Sequence, residues 1–205
     1  IHNPEDEVSF LRIVNCPPRG VGKATIDKVV DWIGDAAARG CDLVVFGEAL
    51  VPGYPFWGER TEGAKFESQL QKELFAHYVS QGVCIEDGDL EPVCKAAAAH
   101  GIAVYVGVME RAANRGRHSL YCAMVYIDKS GAIGSAHRKL MPPHEERLVW
   151  AIGDGHGLRT HKLGAFTAGG LNCWENWMPL SRTSRIPNIA YGPGGCGSAG
   201  RAMQR

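Results

Sequence analysis

The chain has 205 residues, 45% of them hydrophobic, with 22 Lys plus Arg set against 22 Asp plus Glu. That is enough apolar material for one globular core, and the charge balance leaves no broad field to attract nucleic acid or an anionic membrane, so a small, weakly charged partner fits better. The seven cysteines are odd in number and lack the dense spacing of a secreted disulfide scaffold, which points to a reduced, cytoplasmic setting.

Residues 1–10 carry Glu5, Asp6 and Glu7 and no apolar run, so neither a signal peptide nor a membrane-spanning segment is expected there. Residues 10–14 form a short apolar run before Pro17, Pro18 and Gly20, the pattern of a buried strand ended by a turn. Over 25–39, Ile26, Val29, Val30, Ile33, Ala36 and Ala37 recur at intervals of three and four, giving a helix with one core-facing stripe and Gly40 as its stop. Residues 43–46 read as a strand that runs into a loop of Gly47, Glu48, Pro52, Gly53 and Pro55. Helices are expected over 66–80 and 92–100, and strands over 102–109 and 120–127. Asp128, Lys129, Ser130 and Gly131 form a hairpin turn into a strand over 132–137, so these last two strands should be antiparallel. One helical turn is expected over 145–150, a turn over 153–157 and paired strands over 158–166. Helices alternating with partly antiparallel strands indicate an α/β layered domain with a mixed sheet.

From residue 183 the character changes. Gly192, Gly194, Gly195, Gly197 and Gly200 stand among Arg, Ser and Pro without apolar periodicity, and no core role is expected there. The organisation read from this is one domain over 1–182 and an aberrant Gly/Arg/Ser-rich tail over 183–205.

Three reactive side chains close apolar segments, where sites collect: Glu48, Lys139 and Cys173. A thiol needs a base to become a nucleophile, a carboxylate can take its proton, and an ammonium can stabilise the anion formed next. Taken singly, a buried cysteine, a surface glutamate and a solvated lysine are the more ordinary readings. The wording around them changes the balance. Leu-Val-Val-Phe-Gly-Glu-Ala-Leu-Val-Pro-Gly-Tyr-Pro around Glu48 resembles the first catalytic segment of the nitrilase family, part of the carbon-nitrogen hydrolase superfamily. His137-Arg138-Lys139-Leu140-Met141-Pro142, with the Glu146-Arg147-Leu148-Val149-Trp150 run, resembles the second, and Leu171-Asn172-Cys173-Trp174-Glu175-Asn176-Trp177-Met178-Pro179-Leu180 the third. They stand in the family's order, and three long segments together are far more specific than one short pattern.

The resemblance implies an α-β-β-α sandwich, with mixed sheets between helical layers. It implies Cys173 as nucleophile, Glu48 as general base, Lys139 as stabiliser of the tetrahedral species, Glu146 as a substrate-positioning carboxylate, and the backbone N–H of Trp174 as an oxyanion donor. It implies a nitrile as substrate, no metal or organic cofactor, and homo-oligomers in the form of dimers or spirals. An amidase, a carbamoylase or a cyanide hydratase would share the catalytic residues, and a catalytically dead assembly subunit is the reading from another class.

Two departures stand out. Gly47 occupies a position where the family usually has proline, which leaves φ unrestricted beside the base. Family members also continue well beyond the Met178-Pro179-Leu180 segment. The expectation is therefore a domain incomplete at its C-terminus, through truncation or a frameshift, with poor solubility or activity.

Other patterns carry less. Gly20-Val21-Gly22-Lys23 lacks the spacing and the hydroxyl of a phosphate-binding loop, and Cys196-Gly197-Ser198-Ala199-Gly200 lacks the first glycine and the strand of a serine elbow. His137, His144, His156 and His161 show no metal-ligand spacing. Phe56, Trp57, Trp174 and Trp177 could line a pocket or belong to the core.

Overall fold

The computed structural model describes residues 21–113 and 118–183. The strand expected over 10–14, the first glycine of the phosphate-loop-like segment and the Cys196 segment lie outside the described residues.

Helix α1 (Val21–Ala38) buries its expected stripe, with Val29 and Ile33 fully enclosed. Gly40 stops the helix at a φ of +74°, a left-handed conformation that glycine adopts without a Cβ clash. Strand β1 (Leu43–Val45) follows, then, directly after the loop that ends at Pro55, a short helix α2 (Phe56–Arg60) for which no element was expected. Helix α3 (Gln69–Ser80) starts three residues later than the pattern suggested, because Ser68 caps it and accepts the Gln71 N–H at 3.4 Å, and Phe66 is left outside and exposed. Helix α4 (Glu91–His100) lies close to its expected bounds.

Strands β2 (Ala103–Arg111), β3 (Leu120–Ile127) and β4 (Ile133–Arg138) complete a four-stranded sheet in the order β1-β2-β3-β4. β1 pairs with β2 in parallel, and β2–β3 and β3–β4 are antiparallel, as the 128–131 turn required. It follows that β1, β2 and β4 all run in one direction, while β3 starts where they end. Alternation along β2 and β3 sends Val104, Val106, Val108, Ala123, Val125 and Ile127 into a core with α1 and α4. The opposite face carries Ala103, Tyr105, Met124 and Tyr126, which pack against Ala168 and Leu163. Those two belong to a second sheet, the antiparallel pair β5 (Thr160–Leu163) and β6 (Phe166–Gly169). A helical layer, a four-stranded sheet and a second sheet are thus stacked in the expected sense. Two 3₁₀ turns, His144–Leu148 and Cys173–Trp177, and a short helix α5 (Pro179–Thr183) complete the described elements. Among the described residues no helix is long and apolar enough to cross a membrane.

Candidate active site

The site lies at the carboxyl end of the parallel strands. Glu48 follows β1 and Lys139 follows β4. The antiparallel register pairs Met109 with Cys122 and Ala123 with Arg138, so the start of β3 lies at the same end. The Glu48 loop is stitched back to the sheet. Phe46 N–H donates to Tyr105 O at 2.8 Å, Val51 N–H to Gly107 O at 3.2 Å, and Met109 N–H to Val51 O at 2.7 Å. Gly107 is needed beneath it, since a Cβ there would stand 2.1 Å from Gly47 O and 2.8 Å from Glu48 Cα. The Lys139 N–H donates to Cys122 O at 2.7 Å and the Gly153 N–H to Lys139 O at 2.9 Å, which fixes the lysine backbone on both sides.

From these anchors the side chains converge. Lys139 Nζ donates to Glu48 Oε1 and to Glu146 Oε2, each at 2.6 Å, and sits 5.7 Å from the centre of the Trp150 ring. Glu146 comes from the 3₁₀ turn His144–Leu148, and its other oxygen accepts the Tyr54 hydroxyl at 2.9 Å. The Cys122 thiol donates to Glu48 Oε1 at 3.3 Å. An ammonium has three donors, and among the described residues two of those of Lys139 are committed.

The electrostatics follow from burial and pairing. Burial pulls Lys139 towards its neutral form, but the charge of Glu48 and the hydrogen bonds to both carboxylates more than offset this, so the ammonium is held above the ordinary lysine range. Burial lifts the Glu146 carboxyl above its usual range, partly countered by Lys139. Burial and the negative charge of Glu48 keep the Cys122 thiol protonated, hence a donor. Tyr54 is held neutral first by burial, then by its hydrogen bond to Glu146 and by the nearby carboxylates of Glu146 and Glu48.

Cys173 opens the second 3₁₀ turn at a φ of +39°, a strained conformation for a residue with a Cβ and one found disproportionately at functional sites. The Trp174 N–H precedes the turn's first internal hydrogen bond, Glu175 N–H to Asn172 O at 2.9 Å, and so belongs to the N-terminal end of the turn. Cys173 is half-buried. Trp174 and Trp177 stand 6.4 Å apart with much of their surface exposed, Phe56 is exposed too, and Trp57 packs beside Tyr78.

Four further residues of the constellation were not picked out by sequence. Tyr54 and Glu175 lie within the quoted segments, where the Asn172-to-Glu175 spacing of a capping box is a local signal for Glu175; Cys122 lies outside them, with nothing local to assign it a partner. His137, set aside as an ordinary histidine, is buried and pairs with Glu175 at 3.0 Å; His156 and His161 pair with Asp154 and Ser135. Among the described residues no group of three His, Cys, Asp or Glu side chains is arranged to hold a metal ion.

The profile of the carbon-nitrogen hydrolase family matches residues 11–185. An aliphatic nitrilase from Sinorhizobium fredii is 37% identical over 168 residues, covering 79% of this chain and 51% of the relative. A bifunctional nitrilase/nitrile hydratase from Oryza sativa subsp. japonica is 34% identical over 165 residues, covering 78% of this chain and 44% of the relative. The chain therefore spans about half the length of the curated relatives it matches. Among solved structures, a carbon-nitrogen hydrolase from Helicobacter pylori superposes with a TM-score of 0.55 at 19% identity, covering 78% of this chain and 50% of that one. An amidase from Nesterenkonia sp. superposes at 0.53 and 16%, covering 75% and 51%. At such identities the likeness concerns the fold.

Proposed function

The chain belongs to the carbon-nitrogen hydrolase family, and from that premise we propose that it acts in the hydrolysis of a small nitrile to its carboxylic acid and ammonia. The observation that carries the reading is the buried Glu48–Lys139–Glu146 cluster at the sheet's end, together with a half-buried cysteine, Cys173, held in a strained turn. Glu48 is the general base. Its Oε1 is occupied by Lys139 and Cys122, while Oε2 accepts no hydrogen bond among the described residues and is the oxygen that takes the Cys173 proton.

The Cys173 sulfur forms a bond to the nitrile carbon and the proton passes through Glu48 to nitrogen, giving a thioimidate. One water adds to that carbon and ammonia leaves, which yields a thioester; a second water breaks the C–S bond, releasing the acid and restoring the thiol. Each addition places negative charge on nitrogen or oxygen. The uncommitted N–H of Lys139 and the backbone N–H of Trp174 are the donors for it, and a donor in a water-poor site is worth more than in bulk solvent. Glu146, held by Lys139 and Tyr54, positions the substrate. The same reading makes the whole protein a cytoplasmic homo-oligomer, dimer or spiral, without metal or organic cofactor.

A second product is favoured by one observation, the similarity to a relative called both nitrilase and nitrile hydratase. Expulsion of the thiol instead of ammonia from the tetrahedral intermediate would release the amide. The test is to incubate the full-length protein with a small aliphatic nitrile and with the matching amide, and to measure ammonia, acid and amide. Nitrile consumption that disappears in Cys173→Ala is expected. Brisk amide turnover with an inert nitrile overturns the nitrilase reading in favour of an amidase, and inertness to both leaves the assembly-subunit reading.

A further inference from the structure

Glu175 is fully buried and takes no direct part in the chemistry above. Its carboxylate nevertheless gathers donors from both sides of the site. Oε2 accepts the Asn172 N–H at 2.7 Å, from the residue before the nucleophile, and Oε1 accepts the Leu140 N–H at 2.8 Å, from the residue after Lys139. His137 Nε2 lies 3.0 Å from both oxygens. Two backbone N–H groups thus engage both oxygens, and a proton on His137 Nε2 would give the carboxylate a third donor.

Burying an anion is costly unless its lone pairs are satisfied, and here the satisfaction comes from two segments distant in sequence. One carboxylate therefore joins the backbone of the strained Cys173 turn to the backbone that carries Lys139. We propose that Glu175 is a positioning residue that sets the Cys173 sulfur relative to the Glu48–Lys139 pair, with His137 as its third donor. This rests on the reading of Cys173 as nucleophile given above.

Glu175→Gln tests it. The amide keeps the shape but replaces one acceptor by an NH2, which must then face the Leu140 or the Asn172 N–H, donor against donor. A displacement of the reacting atoms by about 1 Å costs on the order of a hundredfold in rate. The expected result is a kcat lower by about that factor with KM nearly unchanged, and a parallel slowing of Cys173 alkylation by iodoacetamide, followed by mass spectrometry. The half-buried Cys94 serves as internal control and should be unaffected.

His137→Gln, which retains a side-chain N–H donor, should keep more of both rates than His137→Leu, and this pair carries the test if Glu175→Gln fails to fold. The inference is overturned if folded Glu175→Gln alkylates and turns over at the wild-type rate. It is equally overturned if both rates fall only in proportion to the unfolded fraction while Cys94 becomes more reactive, or if the two His137 variants are indistinguishable. Failure of the underlying reading looks different. In that case Cys173 of the wild type alkylates no faster than Cys94, and the positioning inference falls with it.

Discussion

Lys139 Nζ lies 2.6 Å from Glu48 Oε1, and the lysine side chain has no surface open to solvent. With Glu146 on its other side, one ammonium balances two carboxylates in a nearly enclosed space. Removing the cation leaves both anions unpaired, which is far worse than never having buried them.

Lys139→Met should therefore destabilise the fold by about 3–5 kcal/mol, beyond any loss of activity. Urea unfolding followed by tryptophan fluorescence measures this. Adding Glu146→Gln in the same chain should recover part of the loss, since one of the stranded charges is gone.

Gly107 and Gly47 should respond oppositely to the same added methyl. At Gly107 it meets the backbone of the loop that carries Glu48, so Gly107→Ala is expected to lower both the unfolding midpoint and kcat as Glu48 is pushed out of place. At Gly47 nothing lies within 4 Å of the added carbon. Gly47→Ala is expected to be neutral or stabilising by up to about 1 kcal/mol, through a less flexible unfolded chain, with kcat unchanged.

Tyr54→Phe removes the hydroxyl donor to Glu146. Burial holds the Glu146 carboxyl above its ordinary range, and loss of a donor that favours the ionised form raises it further. A raised carboxyl favours the protonated form in the folded state. Its stabilising contribution is therefore present below the unfolded value of about 4.3 and is lost as pH rises through the folded one. The stability gap between wild type and Tyr54→Phe should be smallest near pH 4 and widen as pH increases, which urea unfolding at a series of pH values will read.

Asp128 governs the turn that feeds β4. Its Oδ1 accepts the Ser130 hydroxyl at 2.6 Å and the Ser130 and Ala132 N–H groups at 2.8 and 3.0 Å. The Ser130 hydroxyl, more than the partial burial opposes, and then the two backbone donors hold its carboxyl below the usual range. A depressed carboxyl contributes stability above its unfolded value of about 3.9 and loses it as pH falls through the folded one. Asp128→Ala should cost about 1 kcal/mol at neutral pH and progressively less below about pH 4, in a pH series of thermal unfolding.

Much of this architecture is legible in the chain because its signals are local. The three- and four-residue spacing of Ile26, Val29, Ile33 and Ala36, the valine-rich runs of β2 and β3 and the Asp128–Gly131 turn each state their own conformation. Glu48, Lys139, Cys173 and Glu146 could be selected because each stands inside a long, specific phrase. The partners could not. Nothing near Cys122 announces that its thiol meets Glu48, 74 positions earlier, and nothing near His137 announces Glu175, 38 positions later. Such contacts arise from sheet register and from a turn that crosses back over it. The short helices at Phe56–Arg60 and Pro179–Thr183 went unread for a related reason. Their five residues are too few to show a period.

The loop that carries Glu48 is gripped by β2 at both of its ends, through Tyr105 on one side and Gly107 and Met109 on the other. Residue 48 is thus located by main-chain bonds in which its own side chain has no share. Exchanging that carboxylate for an amide subtracts the proposed proton acceptor while these main-chain bonds persist, but it also withdraws one of the two charges that Lys139 balances and leaves Glu146 alone to pair it. A rate measured for such a variant is therefore read beside its stability, and a variant that stays folded could be used to trap the bound substrate.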